Sequence, residues 1–313
     1  MPEYVTKTLF PSWRGDRPLG DLPNAAREAL FERAPTLGAM IDDHPLDRVA
    51  KLLAGQDAAA SYKHVQPELE SLTTTLAEHF GNGADSHYLS AVLLHLIETF
   101  EGRFERSHLH DEFHSQFLDS FHRILDQIRR GAVYVPNLGL DAYLKDLGIC
   151  RLRVLPAVGQ LICPWSGLSR SVILRGGPAA IAHVWGRCGG HRPFFEMHTH
   201  MPMIRFFTPE GWEECYRLAA LAFETYPQMK GLIGGSWFFD PQLETISPGL
   251  GFIRHVPQSK GAALVRIGSD EQTIADATFN SPPRKTLYDE GKYVPVAYQM
   301  IWPARNILEH YRP

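Results

Sequence analysis

The spacing of apolar residues divides the chain into a helical first half and a mixed second half. Between Asp21 and Arg130, apolar positions recur every three or four residues, which is the period of amphipathic helices. Prolines and glycines mark the ends, so the pattern predicts helices over 22–34, 45–54, 66–80, 88–104 and 111–130. Residues 1–20 contain prolines and glycines without such a period, and we expect them to form an irregular arm.

Beyond residue 150, apolar and polar residues alternate in short runs, as is typical of strands. These runs predict strands over 152–162, 170–175, 194–200, 230–239, 262–267 and 298–302, the first two forming a hairpin. Helical spacing predicts helices over 180–185, 209–225, within 242–254, 270–278 and 304–311. Glycines and a proline between 131 and 148 indicate a connecting segment. The predicted fold class is therefore α+β, with a helical domain over 21–140 followed by a mixed-sheet α/β domain over 150–313 that includes a C-terminal extension.

Composition and charge exclude some classes of binding partner. The chain has 313 residues, a formal net charge of -4 and no cluster of basic residues, so we expect no nucleic-acid partner. No apolar run is long enough to cross a bilayer and the first residues lack a signal-peptide pattern, which predicts a cytoplasmic protein without a membrane partner. The four cysteines show no C-x-x-C pairing and are expected to be reduced. The 15 histidines are an unusual excess and favour metal or proton-transfer chemistry.

One predicted strand, Phe194 to His200, carries the strongest candidate chemistry. Alternate side chains of a strand share a face, so Glu196, His198 and His200 point to one side. A carboxylate next to imidazoles can act in acid–base catalysis. The strand can instead bind iron or zinc through His198 and His200, with Glu196, His191 or Asp240 completing the set, since two histidines and a carboxylate leave open coordination positions.

The order of elements between residues 150 and 270, a hairpin, a strand, a long helix, a strand, a short helix and a strand, resembles the core of the GNAT acyltransferase superfamily. This resemblance implies a GNAT-like fold in which the strand over 194–200 contacts the pantetheine arm of an acyl-CoA. It also implies that Glu196 or His198 is the general base that removes a proton from an amine.

Two segments depart from the pattern of that superfamily. Its long helix follows a basic, glycine-rich loop that binds the CoA pyrophosphate, whereas this chain has Phe207-Thr208-Pro209-Glu210-Gly211. The proline removes an N–H group and the glutamate adds a negative charge. The general-acid tyrosine of the superfamily would fall near Phe252, which has no hydroxyl. We therefore expect an altered donor site.

Polar residues elsewhere in the second half complete the predicted site. Asp240, at the end of a predicted strand, is expected either to reach the mouth near His198 or to cap the next turn. Tyr288 or Tyr293 is the candidate general acid. The candidate substrate-binding residues, chosen for a carboxylate or other anion and for aromatic contact, are Arg205, Trp237, Arg284, Lys285 and Tyr293. The segments Trp237 to Pro241 and Leu287 to Tyr293 also resemble segments of a group of uncharacterised bacterial proteins.

Three functions remain open from the sequence. The first is an acyl- or aminoacyl-transferase that acts on a small polar metabolite with acyl-CoA or another acyl donor. The second is an oxygenase that depends on non-haem iron, and the third is a non-enzymatic protein that binds a small molecule or a partner. An oligomer through the helical domain is possible in each case.

Overall fold

The computed structural model describes residues 17–57, 59–131 and 135–312, so the predicted arm lies mostly outside the described residues. The described chain is α+β, as predicted. Its described residues divide into two compact units, the first within 17–156 and the second within 157–312. The predicted boundaries of the helical domain and the α/β domain stay a prediction. No helix within the described ranges has the length and apolar character needed to cross a membrane.

The first unit is built from helices. Their bounds are α1 Leu22–Arg33, α2 Leu37–Asp43, α3 Leu46–Ala54, α4 Pro67–Phe80, α5 Ala84–Glu98, α6 Phe100–Ser107, α7 Glu112–Arg130 and α8 Asp141–Cys150. Helix α7 places Phe113, Phe117 and Phe121 on one buried stripe, in agreement with its predicted period. The helix predicted over 88–104 is divided at Thr99. Helix α8 lies in the segment that was predicted to be a connection, and that prediction is wrong.

The second unit is built around one mixed sheet. The strands are β1 Leu155–Ala157, at the boundary between the units, β2 Gln160–Ser166, β3 Phe194–Thr199, β4 Gly231–Ser236, β5 Ala263–Gly268 and β6 Ala297–Pro303. Their order in the sheet is β1-β2-β3-β4-β6-β5. The β3–β4 pair is parallel, whereas the β2–β3, β4–β6 and β5–β6 pairs are antiparallel. Parallel pairing of β3 and β4 requires a crossover, which the long helix between them supplies.

Helices connect and cover these strands. Their bounds are α9 Arg170–Arg175, α10 Gly177–Ala182, α11 Pro209–Thr225, α12 Leu243–Ile246, α13 Phe252–Ser259, α14 Glu271–Thr278, α15 Pro282–Asp289 and α16 Ala304–Tyr311. Short 3₁₀ segments cover Met201–Phe206, Trp237–Phe239 and Pro248–Leu250, and a π-helical turn covers His183–Arg187. Helix α11 begins at Pro209 after the N-cap Thr208, as predicted.

One predicted strand is wrong. Residues Arg170–Arg175 form helix α9 because the Ser169 hydroxyl accepts a hydrogen bond from the Val172 N–H group and starts the helix. The hairpin is instead formed by β1 and β2. Ile173 of α9 then joins a buried cluster with Phe194 of β3 and Ile233 of β4, so this helix covers one face of the sheet.

Candidate active site

The two parallel central strands are paired along a short register. Their register pairs Phe195 with Leu232 and Glu196 with Ile233. Strand β3 continues to Thr199 and strand β4 to Ser236, three residues beyond the last of these pairs. Parallel strands end at the same edge of a sheet, so a ligand in the space beyond Thr199 and Ser236 can bind their backbone groups.

A cleft of about 1310 Å³ occupies this space. Thr199, Gly235 and Ser236 line it from the strand ends. An aromatic wall, formed by Phe207, Trp237 and Phe238, lines another side, with ring centroids 4.1 Å apart for Trp237 and Phe238 and 4.8 Å apart for Phe207 and Phe238. Large concave sites with apolar walls and a few polar groups are the usual form of ligand sites.

Alternation along β3 places a carboxylate and an imidazole side by side. Phe195 packs against Phe223 of α11 at 4.9 Å between ring centroids, which turns Glu196 and His198 to the opposite face. The Nε2 atom of His198 lies 3.6 Å from Oε2 of Glu196. The Ser166 hydroxyl donates a 2.6 Å hydrogen bond to the same Oε2 atom. The pair is partly accessible, with 35% of the Glu196 side chain exposed, so a substrate can reach it.

His200 lies just beyond the end of β3 and is buried. Its backbone N–H group donates to the Gly159 carbonyl. Within the described ranges, no group of three or more His, Cys, Asp and Glu side chains is arranged to hold a metal ion. The predicted metal site of Glu196, His198 and His200 therefore stays a prediction.

Asp240 caps a turn. It is buried, and its Oδ1 atom accepts a 3.0 Å hydrogen bond from the Gln242 N–H group. Its Oδ2 atom accepts a 2.9 Å bond from the Val296 N–H group. Of the two predicted roles, these contacts correspond to the structural one, since both oxygens hold backbone segments together.

Trp237 and Arg284 are brought together at the cleft. The guanidinium carbon of Arg284 lies 4.7 Å from the centre of a Trp237 ring. Its Nε–H group donates to the Ala277 carbonyl at 2.6 Å, and Nη1 donates to the Ser247 hydroxyl at 3.2 Å. Burial lowers the pKa of Arg284 from its usual value, although arginine remains charged at neutral pH.

Trp237 and Arg284 are the predicted site residues that line the cleft; Glu196, His198, His200 and Asp240 do not line it, and neither do the remaining candidates. Tyr293 is buried, and burial raises its pKa well above the usual value, which makes it a weak proton donor. Tyr288 is half-buried on α15, and Lys285 on the same helix forms an ion pair with Asp289 at 2.6 Å. Arg205 lies over the ring of Phe206 at 4.5 Å. The predicted site residues thus lie in three places: on β3, in the cleft wall and elsewhere in the second unit.

Sequence reasoning missed three contributors to this region. Ser166 was assigned to a turn, yet it binds the Glu196 carboxylate from 30 residues away. Phe207 and Ser247 belong to the cleft lining, where Ser247 positions Arg284. Local periodicity carries no signal for these contacts, because each depends on how separate segments meet.

The histidines of the first unit form pairs with acidic residues. His95 lies 3.2 Å from Asp47, and His114 lies 3.0 Å from Glu101.

Comparison of the chain with models of known protein families, with curated proteins and with solved structures finds no match. The function is therefore argued from the geometry of the second unit.

Proposed function

We propose that the second unit is an acyltransferase that moves an acyl group from a thioester to the amine of a small polar metabolite. The observation that carries this proposal is the cleft at the ends of β3 and β4, next to the strand that holds the pair Glu196 and His198. Thr199 lines the cleft three residues after Glu196, which places it roughly 10 Å along the strand and, by the two-residue period, on the other face. The order of β1–β2, β3, α11, β4, α13 and β5 also supports the resemblance to GNAT acyltransferases.

The proposed chemistry needs a base more than an acid. The amine nitrogen attacks the thioester carbonyl carbon, the C–S bond breaks, and an amide and a thiol form. Glu196 accepts the proton that the amine loses. His198 lies beside Glu196, and solvent is the final acceptor of the proton. The sulfur leaves as a thiolate, whose conjugate acid has a pKa of about 8.5, and it then takes a proton from solvent. A tyrosine at the position of Phe252 is therefore not essential.

The first test measures thiol release from acyl thioesters in the presence of a panel of small amines. Glu196→Gln keeps the shape and the hydrogen-bonding capacity of the side chain but cannot accept a proton at neutral pH. We expect it to lower the turnover number by roughly 10²- to 10⁴-fold, the usual contribution of a general base. Glu309→Gln, at an exposed position of α16, is the matched control and should retain wild-type turnover.

The cysteine thiols of the protein should add little background signal to this measurement of thiol release. All four are buried, and none of them forms a disulfide. Burial raises the pKa of the Cys188 thiol to about 11, and it raises the pKa values of Cys150 and Cys215 as well. Thiols with raised pKa values are mostly protonated at pH 7 and react slowly.

Two results would contradict the proposal. Turnover by Glu196→Gln equal to that of Glu309→Gln would remove the base from the mechanism. Near-stoichiometric iron or zinc in tag-free protein, lost in His198→Ala and His200→Ala, would favour the metal-dependent oxygenase.

A further inference from the structure

The cleft has one basic residue among the described residues that line it. That residue is Arg284, while Asp270 and Asp276 provide negative charge. An acyl-CoA carries several phosphate charges, which repel carboxylates and need more than one cationic partner. The balance of charge therefore suits a ligand with a single anionic group.

Arg284 retains unused hydrogen-bonding capacity. Its bonds to Ala277 and Ser247 engage two of the five guanidinium N–H groups, which leaves three for a ligand. No described carboxylate lies within ion-pair distance of it, although burial has already lowered its pKa. Trp237 covers one face of the guanidinium group and the Ser247 bond limits its rotation. A fixed arginine fork without an acidic partner is a suitable binding group for one phosphate.

The start of α11 offers little to a pyrophosphate. Pro209 has no N–H group, and the next residue, Glu210, carries a negative charge. The Gly211 N–H group donates to the Thr208 hydroxyl at 3.1 Å, and the Trp212 N–H group donates to the Thr208 carbonyl at 3.0 Å. Most of the backbone donors that attract phosphate to a helix start are thus already used or missing.

We infer that the donor of this site is an acyl 4′-phosphopantetheine, free or attached to a carrier protein, whose single phosphate binds Arg284. This inference rests on the proposed function, because it assigns the donor class of the same cleft. The amide groups of the pantetheine arm bind the backbone at Thr199, Gly235 and Ser236, which line the cleft at the ends of β3 and β4, and the aromatic wall packs against its apolar part. Coenzyme A adds phosphates for which the described residues of the cleft provide no further cation.

Calorimetric titration with three thiols tests this inference: pantetheine, 4′-phosphopantetheine and coenzyme A. We expect 4′-phosphopantetheine to bind at least tenfold more tightly than pantetheine, and coenzyme A to bind no more tightly than 4′-phosphopantetheine. The increase in binding affinity that the phosphate provides should disappear in Arg284→Gln. It should decrease in Arg284→Lys, which keeps the charge but loses the forked N–H groups of the guanidinium. Arg305→Gln, which changes an exposed arginine of α16, is the control and should keep the full gain.

The outcomes separate this inference from the proposed function. Equal binding of pantetheine and 4′-phosphopantetheine, a gain that persists in Arg284→Gln, or at least tenfold tighter binding of coenzyme A would overturn the inference alone, since the arm would still bind. Binding of none of the three thiols at millimolar concentration would overturn both. Thermal unfolding of each variant shows whether a loss of binding reflects a loss of folding, and Arg284→Lys retains the test if Arg284→Gln does not fold.

Discussion

At the scale of single residues, burial decides what a charged side chain contributes. Arg123 and Asp146 form an ion pair between α7 and α8, with only 1% and 2% of their side chains exposed. Arg123 Nη1 also donates to Gln127 at 3.1 Å. Removal of one charge leaves the other buried without compensation, which is far more costly than breaking an exposed pair.

We therefore expect Asp146→Asn to lower the free energy of unfolding by about 3–5 kcal/mol. Arg27→Gln, which breaks the pair of Arg27 with Glu98 at a site where Arg27 is 49% exposed, should cost less than about 1 kcal/mol. Urea unfolding followed by circular dichroism measures both. Similar losses in the two variants would show that burial does not determine the contribution of the pair.

At the scale of elements, close backbone contact positions β4 beside β6. Gly231, the first residue of β4, lies so close to the Trp302 carbonyl that a Cβ atom at this position would overlap it. The backbone of β4 can approach β6 in this way only with glycine at that point. The position of β4, and with it the cleft wall, depends on this contact.

The expected result of Gly231→Ala is a loss of at least about 2 kcal/mol in the free energy of unfolding, because the added methyl group forces the strands apart. Gly186→Ala is the matched control. Gly186 is exposed and a Cβ atom there meets nothing within 4 Å, so the change should stay within about 1 kcal/mol of wild type. Thermal unfolding measures both variants. A Gly231→Ala protein as stable as Gly186→Ala would mean that β4 and β6 can separate without cost.

At the scale of the whole molecule, the second unit has buried clusters of its own. The cluster around Phe194, Ile233 and Ile301 and the cluster around Trp237 and Tyr293 both lie within the second unit. A compact unit with its own core can in principle fold alone.

A fragment of residues 151–313, which retains β1, should therefore unfold cooperatively and bind 4′-phosphopantetheine with an affinity within about threefold of the full chain. Circular dichroism and calorimetry measure these properties, and residues 17–150 serve as the fragment without the cleft. A fragment 151–313 that lacks a cooperative transition would show that the second unit depends on the first.

The amino-acid sequence by itself determined most of the helices and the central strand. The periods of 3.6 and two residues are local properties, and Thr208-Pro209 and the stripe of Phe113 and Phe117 identify helices without knowledge of their neighbours. Alternation also identified the shared face of Glu196 and His198. The local signal failed at Arg170–Arg175, where apolar residues fit a strand but the Ser169 cap and packing on the sheet select a helix.

Only the tertiary structure decided which candidates meet. Arg284 reaches Trp237 across 47 residues of sequence, and Ser166 reaches Glu196 across 30, contacts that depend on sheet order and crossover geometry. The cleft itself is lined by the ends of two strands, β3 and β4, which helix α11 separates in the chain. Local residue patterns determine which elements form, whereas the packing of those elements determines the site.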